Sequence, residues 1–181
     1  MDRATALQVV KEHVQSKNLI KHMLAAEAIM RQLALHFQED EELWGLAGLV
    51  HDIDYAKTAD EPERHALVGA EILESLGVES AIIQAVLGHA DKGPRLNLMD
   101  KALYATDPLT GLLVAAALIH PDKRLASIDV GFVLNRFGEK SFARGADREA
   151  ISSCADFGME LEDFIALGLR AMQGISGDLG L

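Results

Sequence analysis

The stretch Leu46-Ala47-Gly48-Leu49-Val50-His51-Asp52-Ile53-Asp54 is apolar until it ends in a histidine and two aspartates. A buried imidazole or carboxylate destabilises a fold unless it is hydrogen-bonded, charge-paired or bound to a metal ion. His51 and Asp52 therefore either bond each other at a helix end or bind a metal. The rest of the chain distinguishes these interpretations.

Apolar residues elsewhere are spaced for helices. From Asn18, the predicted N-cap, to about Phe37 they recur every three or four positions, and Glu41 to His51 is apolar around most of its circumference. A capping box at Asp60 and Glu63 predicts the start of another helix, which ends at Gly77. No useful alternating pattern predicts a strand, so the sequence predicts an all-α fold. Other predicted helices span about 2–16, 80–89, 98–119, 125–137, 147–157 and 160–173.

Length and composition predict one soluble domain. The chain has 181 residues, 49% of them hydrophobic, which suffices for one substantial core, and it contains no linker or low-complexity tract. Its one cysteine, Cys154, excludes an intramolecular disulfide. The N-terminus lacks the apolar segment of a signal peptide, and the longest apolar run, Leu112 to Ile119, is too short to span a bilayer. We therefore expect a cytoplasmic protein formed by a single domain over 1–181.

The net charge of -11 restricts the class of partner. General nucleic-acid binders and proteins that bind anionic membranes need a positive field, which this chain lacks. A small phosphorylated substrate remains compatible, because bound divalent cations would supply local positive charge. The oligomeric state does not follow from the sequence.

Histidines and acids recur on apolar faces or at their ends. A lone histidine such as His22 is more often a satisfied core residue than a metal ligand. Asp107 could be an N-cap with Pro108 at the first helical position, a ligand at a proline kink, or both. Six separate buried polar groups would be costly, whereas one shared cation site would neutralise them together. The predicted metal ligands are His22, His51, Asp52, His65, His89 and Asp107.

Several nearby residues receive weaker predictions. Asp54 either orients a ligand and helps to move a proton, or is a solvated loop acid. Gly69 indicates close approach by another group or tight helix packing. Any phosphate charge that the metal ions do not neutralise would have to be paired with arginine or lysine. The weak candidates for such substrate contacts are Lys92, Arg95, Arg144 and Arg148.

The order His22, His51-Asp52 and Asp107 resembles the H…HD…D signature of the HD superfamily of metal-dependent phosphohydrolases. His65 and His89 resemble the additional ligands of its binuclear branch. The resemblance implies an HD-type helical bundle with a core at 18–120. The remaining residues, 121–181, would form a C-terminal helical extension similar to that of an uncharacterised bacterial group of predicted HD hydrolases. The chain lacks the Gly-Tyr-Pro motif of the superfamily's cyclic-dinucleotide phosphodiesterase group. It also lacks a glutamate shortly after His51-Asp52, which the mononuclear nucleotidases have. These two differences disfavour the substrate classes of both groups.

The resemblance also implies a chemistry. We expect a metal-bound hydroxide to cleave a phosphoester or phosphoanhydride of a small nucleotide-like substrate, with His51 and Asp52 as catalytic residues and Asp52 bridging two cations. Imidazole and carboxylate ligands suit one or two ions of Fe, Mn, Co, Ni or Zn. Two other functions remain open: a di-iron oxygenase, and a non-catalytic ligand-binding module.

Overall fold

The computed structural model describes residues 1–139 and 141–181, and within these ranges it contains helices and turns but no strand. The prediction of an all-α fold is therefore confirmed. Two 3₁₀ segments, Leu125–Ser127 and Ser153–Phe157, accompany the α-helices. The α-helices are α1 (Arg3–His13), α2 (Lys17–Phe37), α3 (Glu41–Val50), α4 (Tyr55–Thr58), α5 (Leu67–Ser75), α6 (Ser80–His89), α7 (Leu98–Ile119), α8 (Val130–Gly138), α9 (Arg148–Ser152), α10 (Leu161–Gly174) and α11 (Ser176–Leu179).

The helices α2 and α3 pack so closely that their backbones meet. A Cβ atom on Gly48 of α3 would lie 2.8 Å from backbone atoms of Ala26 and Glu27 on α2. Glycine is required here because any side chain would push the helices apart. This contact lies one turn before His51 and one turn after His22, so it brings the two histidines together.

The helix α7 is the central element of the fold and packs against α2, α6, α9 and α10. It begins with a capping box in which the side chain of Asn97 accepts from the N–H of Asp100 at 3.0 Å, and it continues through Pro108 to Ile119. Asp107 is therefore inside the helix, and its interpretation as an N-cap is wrong. Packing against several neighbours stabilises α7 in spite of the hydrogen bond that a proline removes.

By length and composition, α7 is also the one helix of the described residues that could cross a membrane. However, 56% of its most apolar stretch is buried inside the protein. Leu103, Leu109, Leu112 and Leu113 are fully buried. This burial is typical of a core helix, for which the apolar residues are explained by packing.

Two predicted helix starts are wrong. The N-cap of α2 is Ser16, whose hydroxyl accepts from the N–H of Leu19 at 3.3 Å, rather than Asn18. Residues 60 and 62–66 form turns, and α5 begins only at Leu67 after Ala66, which has a φ of +64°. The predicted capping box at 60–63 does not start a helix because the buried carboxylate of Asp54 accepts the N–H of Ala66 at 2.9 Å and holds the chain in a turn.

The residues after 120 pack onto the same core. Gly168 of α10 faces Leu109 of α7, where a Cβ atom would lie 2.8 Å from the leucine Cδ2. The helix predicted near 125–137 is divided, because Asp129 caps α8 by accepting from the N–H of Phe132 at 2.8 Å. The helix predicted near 147–157 is likewise divided into α9 and a 3₁₀ segment.

Candidate metal centre

The six predicted ligands lie in one cluster. His22 comes from α2, His51 and Asp52 follow the last residue of α3, and Asp107 comes from the middle of α7. His65 lies in the turn before α5 and His89 is the last residue of α6. The distance from His22 Nε2 to Asp107 Oδ1 is 3.1 Å, as is the distance from His22 Nε2 to His51 Nε2. Two triads in this cluster, His22/His51/Asp107 and His51/Asp52/His89, could each hold a metal ion.

Asp52 lies between two pairs of imidazoles. Its Oδ2 is 3.5 Å from His22 Nε2 and 3.6 Å from His51 Nε2. Its Oδ1 is 3.4 Å from His65 Nε2 and 3.6 Å from His89 Nε2. The two oxygens of one carboxylate thus face different groups of nitrogen donors, which is the arrangement expected of a ligand shared by two cations.

The tautomers of His51 and His89 are fixed by main-chain carbonyls. The Nδ1–H of His51 donates to the carbonyl of Gly48 at 2.8 Å, and that of His89 donates to the carbonyl of Val86. A carbonyl oxygen can only accept, so the proton is on Nδ1. The Nε2 atom of each ring therefore presents a lone pair to the cluster.

Side chains orient His22 and His65 so that the Nε2 atom of each ring also faces the cluster. The Nδ1 of His22 lies 2.7 Å from the hydroxyl of Thr110, which itself donates to the carbonyl of Asp107 at 2.8 Å. Because the hydroxyl proton of Thr110 is donated to the carbonyl of Asp107, the oxygen of Thr110 accepts from the Nδ1–H of His22. The Nδ1 of His65 lies 3.2 Å from Asp54 Oδ1. Partners of this kind orient metal-bound histidines and increase their basicity.

Asp54 is fully buried, which excludes its interpretation as a solvated loop acid. Its Oδ2 accepts from the N–H of Ala66 at 2.9 Å, and its Oδ1 faces His65. A Cβ atom on Gly69 would lie 3.2 Å from Asp54 Oδ1. The group that approaches Gly69 is therefore this carboxylate, and the glycine leaves room for it.

The donor set fits a divalent transition metal. With both Nδ1 atoms protonated, the Nε2 lone pairs of His22 and His51 face each other at 3.1 Å, which is repulsive unless a cation or proton lies between them. Nε2 of His89 is buried and has no hydrogen-bond partner among the described residues. A buried acceptor left unpaired costs about 1–3 kcal/mol, and a metal ion would satisfy it. Imidazole and carboxylate donors suit Fe, Mn, Co, Ni or Zn.

Without a metal, the cluster is held together by its own charges. Burial lowers the pKa of His22, but hydrogen bonds to Asp107 and Asp52 outweigh burial and raise this pKa to about 10. Burial raises the pKa of Asp107, but the imidazoles of His22 and His51 hold that pKa below its usual range. A cation would therefore have to displace a proton from His22.

The four basic residues predicted to contact substrate have other partners or are exposed. Lys92 Nζ is 3.5 Å from Glu63, and Arg144 is exposed. Arg95 donates to Asp91 at 2.6 Å and lies over the ring of Tyr104, 3.8 Å from its centroid.

Arg148 has a structural role in place of the predicted contact with phosphate. Its guanidinium donates to the main-chain carbonyls of five residues of the segment from α8 to α9. Those donors are not available for a substrate. The five acceptors are Arg136, Phe137, Phe142, Ala143 and Ala146.

Thr110 and Lys21 were not predicted as site residues from the sequence. Thr110 lies one turn after Asp107 on α7, and this spacing could have indicated a hydroxyl near the ligand. Lys21 precedes His22 and lines a groove of about 430 Å³ beside it. Nothing in the local sequence distinguishes Lys21 from other lysines on helix surfaces.

Comparison with known proteins places this geometry in a family. The HD domain profile matches residues 19–117. Ribonuclease Y of Oleidesulfovibrio alaskensis is 29% identical over 96 residues, which are 53% of this chain and 18% of that protein. Ribonuclease Y of Nitratidesulfovibrio vulgaris is 30% identical with the same coverage. This chain thus spans less than a fifth of these ribonucleases.

An uncharacterized protein of Methanocaldococcus jannaschii resembles more of the chain. It is 28% identical over 149 residues, which cover 77% of this chain and 86% of that protein. No solved structure gives a significant match. Because the HD profile covers more than half of the chain and includes all six cluster residues, the chain belongs to the HD domain family, whose members are typically metal-dependent phosphohydrolases.

Proposed function

We propose that this protein hydrolyses a phosphoester or phosphoanhydride bond in a small nucleotide-like substrate, with one or two divalent metal ions as cofactors. The observation that supports this proposal is the convergence of four histidine Nε2 atoms on the carboxylates of Asp52 and Asp107. The six predicted ligands would hold the metal, and Asp52 would be shared between two ions. A bound divalent cation would acidify water and offset the negative charge of a phosphate.

The protein residues hold the donor atoms of the cluster in position. His51 and Asp54 are fully buried and close the inner side of the cluster. The side chains of His22 and Asp107 are 24% and 35% exposed, so we infer that the substrate enters beside them. Thr110 and Asp54 fix the rings of His22 and His65, which keeps the donor atoms aligned before a cation binds.

A small substrate is favoured over RNA. The names of the ribonuclease Y relatives make an RNA phosphodiester the natural alternative substrate, but this chain spans only 18% of the first of them. Its net charge of -11 does not supply the positive field that recruits nucleic acid. We therefore propose no general nucleic-acid binding and no membrane partner.

Hydrolysis assays with defined metals test this proposal. The metal-free protein is incubated with Mn²⁺, Fe²⁺, Co²⁺, Ni²⁺ or Zn²⁺ and with nitrophenyl phosphate, bis-nitrophenyl phosphate, nucleoside triphosphates, dinucleoside polyphosphates and a short RNA. We expect metal-dependent phosphate release from a small substrate. Chelation should abolish it, and Asp52→Asn should reduce it to background while the helical circular-dichroism spectrum is retained.

Other outcomes would contradict the proposal. Substrate-dependent oxygen uptake without hydrolysis would support a di-iron oxygenase. Ligand binding without turnover under any metal would support a non-catalytic module. Efficient cleavage of the RNA alone would support a nuclease.

A further inference from the structure

Two grooves open beside the exposed edge of the cluster, and His22 and Gly111 line both of them. One has a volume of about 330 Å³ and lies between Asp107 and the loop that contains Ala143 and Gly145. The other, here called the Lys21 groove, has a volume of about 430 Å³ and lies between α2, α7 and the end of the chain. Its walls include Lys21, Thr110, Val114, Leu118 and Leu179. A molecule bound at His22 and Asp107 would extend into one of these grooves.

Gly111 leaves the meeting point of the two grooves open. It lies in the interior of α7, one turn after Asp107, and a Cβ atom there would meet no described atom within 4 Å. Gly48 and Gly168 differ, because a Cβ atom at either position would collide with a neighbouring helix. Glycine destabilises a helix interior relative to alanine. With no packing reason for the glycine at 111, its effect is to keep the groove free of side chains.

Lys21 supplies an unneutralised positive charge. Among the described residues it has no carboxylate partner within 4.0 Å, although acids outnumber bases by 28 to 17 in this chain. Its ammonium packs at the position of Gly180, where a Cβ atom would lie 3.0 Å from Nζ. A lysine that lines the same groove as His22 suits a second anionic group on a ligand bound at the cluster.

Apart from Asn18, His22 and Thr110, the remaining side chains in the wall of the Lys21 groove are apolar. Leu118 is 50% exposed although its side chain is large, and Val114 lies one turn before it on the same helix. Leu179 of α11 is buried on the facing side. Apolar walls beside a few charged groups are typical of sites that bind the ring of a small organic molecule.

We propose that the Lys21 groove binds the part of the substrate that is not cleaved, and that this part carries a second phosphate and an apolar ring. The second phosphate pairs with Lys21, and the ring packs against Val114, Leu118 and Leu179. Gly111 determines specificity, because a larger side chain there fills the groove. The inference rests on the proposed phosphohydrolase function for the reacting phosphate. It narrows the substrate class to polyphosphates that carry a ring, such as nucleoside polyphosphates.

Direct binding tests the groove independently of turnover. The probe is a methylene-bridged nucleoside triphosphate, which is not hydrolysed, and its affinity for the Mn²⁺-loaded protein is measured by calorimetry. We expect Lys21→Met and Gly111→Leu each to weaken binding by about tenfold or more. Lys21→Met removes a charge-assisted contact, and Gly111→Leu fills the space that the ligand would occupy. Lys17→Met is the matched control, because Lys17 is exposed on the same helix and outside the groove.

A kinetic measurement complements binding if the protein is active. Lys21→Met should lower kcat/KM for a nucleoside triphosphate more than for nitrophenyl phosphate, while Lys17→Met leaves both constants unchanged. Gly111→Ala, which adds one methyl group, provides a folded variant if Gly111→Leu does not fold.

Equal affinity of the wild type, Lys21→Met and the folded Gly111 variants for the probe would overturn the proposal, as would failure of the wild type to bind it. If the probe binds in a manner that depends on Lys21 but the protein has no hydrolytic activity, the proposed binding groove would be supported and the proposed phosphohydrolase function would be contradicted.

Discussion

Asp54 shows how one residue controls the geometry of the cluster without belonging to it. Its carboxylate is fully buried and contacts both the ring of His65 and the N–H of Ala66. His65 lies in a turn, where the backbone alone would not fix its ring. The orientation of this predicted ligand therefore depends on a residue eleven positions earlier in the chain.

We predict that Asp54→Asn weakens metal binding by about 10- to 100-fold, the usual effect of removing the partner of a metal-bound histidine. An amide keeps the size of the side chain but loses the negative charge that faces His65. Calorimetric titration of the metal-free protein with Zn²⁺ or Mn²⁺ would measure the change. Asp60→Asn, at an exposed turn position, is the control. Unchanged affinity in Asp54→Asn would contradict the assigned role.

The pKa of His22 predicts how the stability of the metal-free protein depends on pH. This pKa is about 10 in the folded protein against an ordinary value of 6.5, so His22 stabilises the fold fully below pH 6.5 and loses this contribution as pH approaches 10. The pKa values of Asp52 and Asp107 are lowered, so their contribution is present above about pH 3.8 and is lost in acid.

We therefore expect the Tm of the metal-free protein to fall between pH 6.5 and 10, and the fall to be smaller in His22→Gln. Thermal unfolding followed by circular dichroism in the presence of a chelator measures both. An equal decline of Tm in the two proteins would show that His22 is not responsible.

At the scale of helices, the close contact of α2 with α3 determines the distance between His22 and His51. We predict that Gly48→Ala destabilises the protein by about 1–3 kcal/mol, because the added methyl group would collide with the backbone of α2. Gly111→Ala should instead stabilise it by about 0.5–1 kcal/mol, since that position is open and helical. Denaturant unfolding measures both, and a Gly48→Ala protein as stable as the wild type would refute the first prediction.

The same scale shows what the sequence could predict. The positions of α3, α6 and α7 followed from apolar periodicity, because the buried face of each helix is visible in the spacing of apolar residues in its own sequence. The start of α5 did not follow, because the bond between Asp54 and Ala66 is not visible in the local pattern. The continuation of α7 through Pro108 was left open for the same reason, since it depends on packing with other helices.

For the whole molecule, the six cluster residues were predicted as a set because each was expected on an apolar helix face or at its end, although His65 lies in a turn. These residues meet at one place because the five segments that carry them pack into one core. The positions of Thr110 and Lys21 could not be predicted, because their importance comes from neighbours on other helices.

We predict that metal binding stabilises the whole fold, because the ligands come from five separate segments. At a free metal concentration of 100 times the Kd, the gain is about 2.7 kcal/mol, and Tm should rise by several degrees. Thermal unfolding with and without a chelator measures the shift, and His89→Ala should reduce it. No shift of Tm with Fe²⁺, Mn²⁺, Co²⁺, Ni²⁺ or Zn²⁺ would refute the metal centre.

The grooves beside the cluster have a consequence for how reaction and selectivity are divided along the chain. All six cluster residues lie within residues 19–117, which the HD profile matches, whereas Ala143, Gly145, Leu179 and Gly180 in the groove walls lie beyond them. Under the proposed function, the residues that would hold the metal thus lie in one segment of the chain, and part of the wall that would select the substrate lies in another. Grafting the C-terminal third of one homologue onto another would be expected to exchange substrate preference while the reaction stays the same.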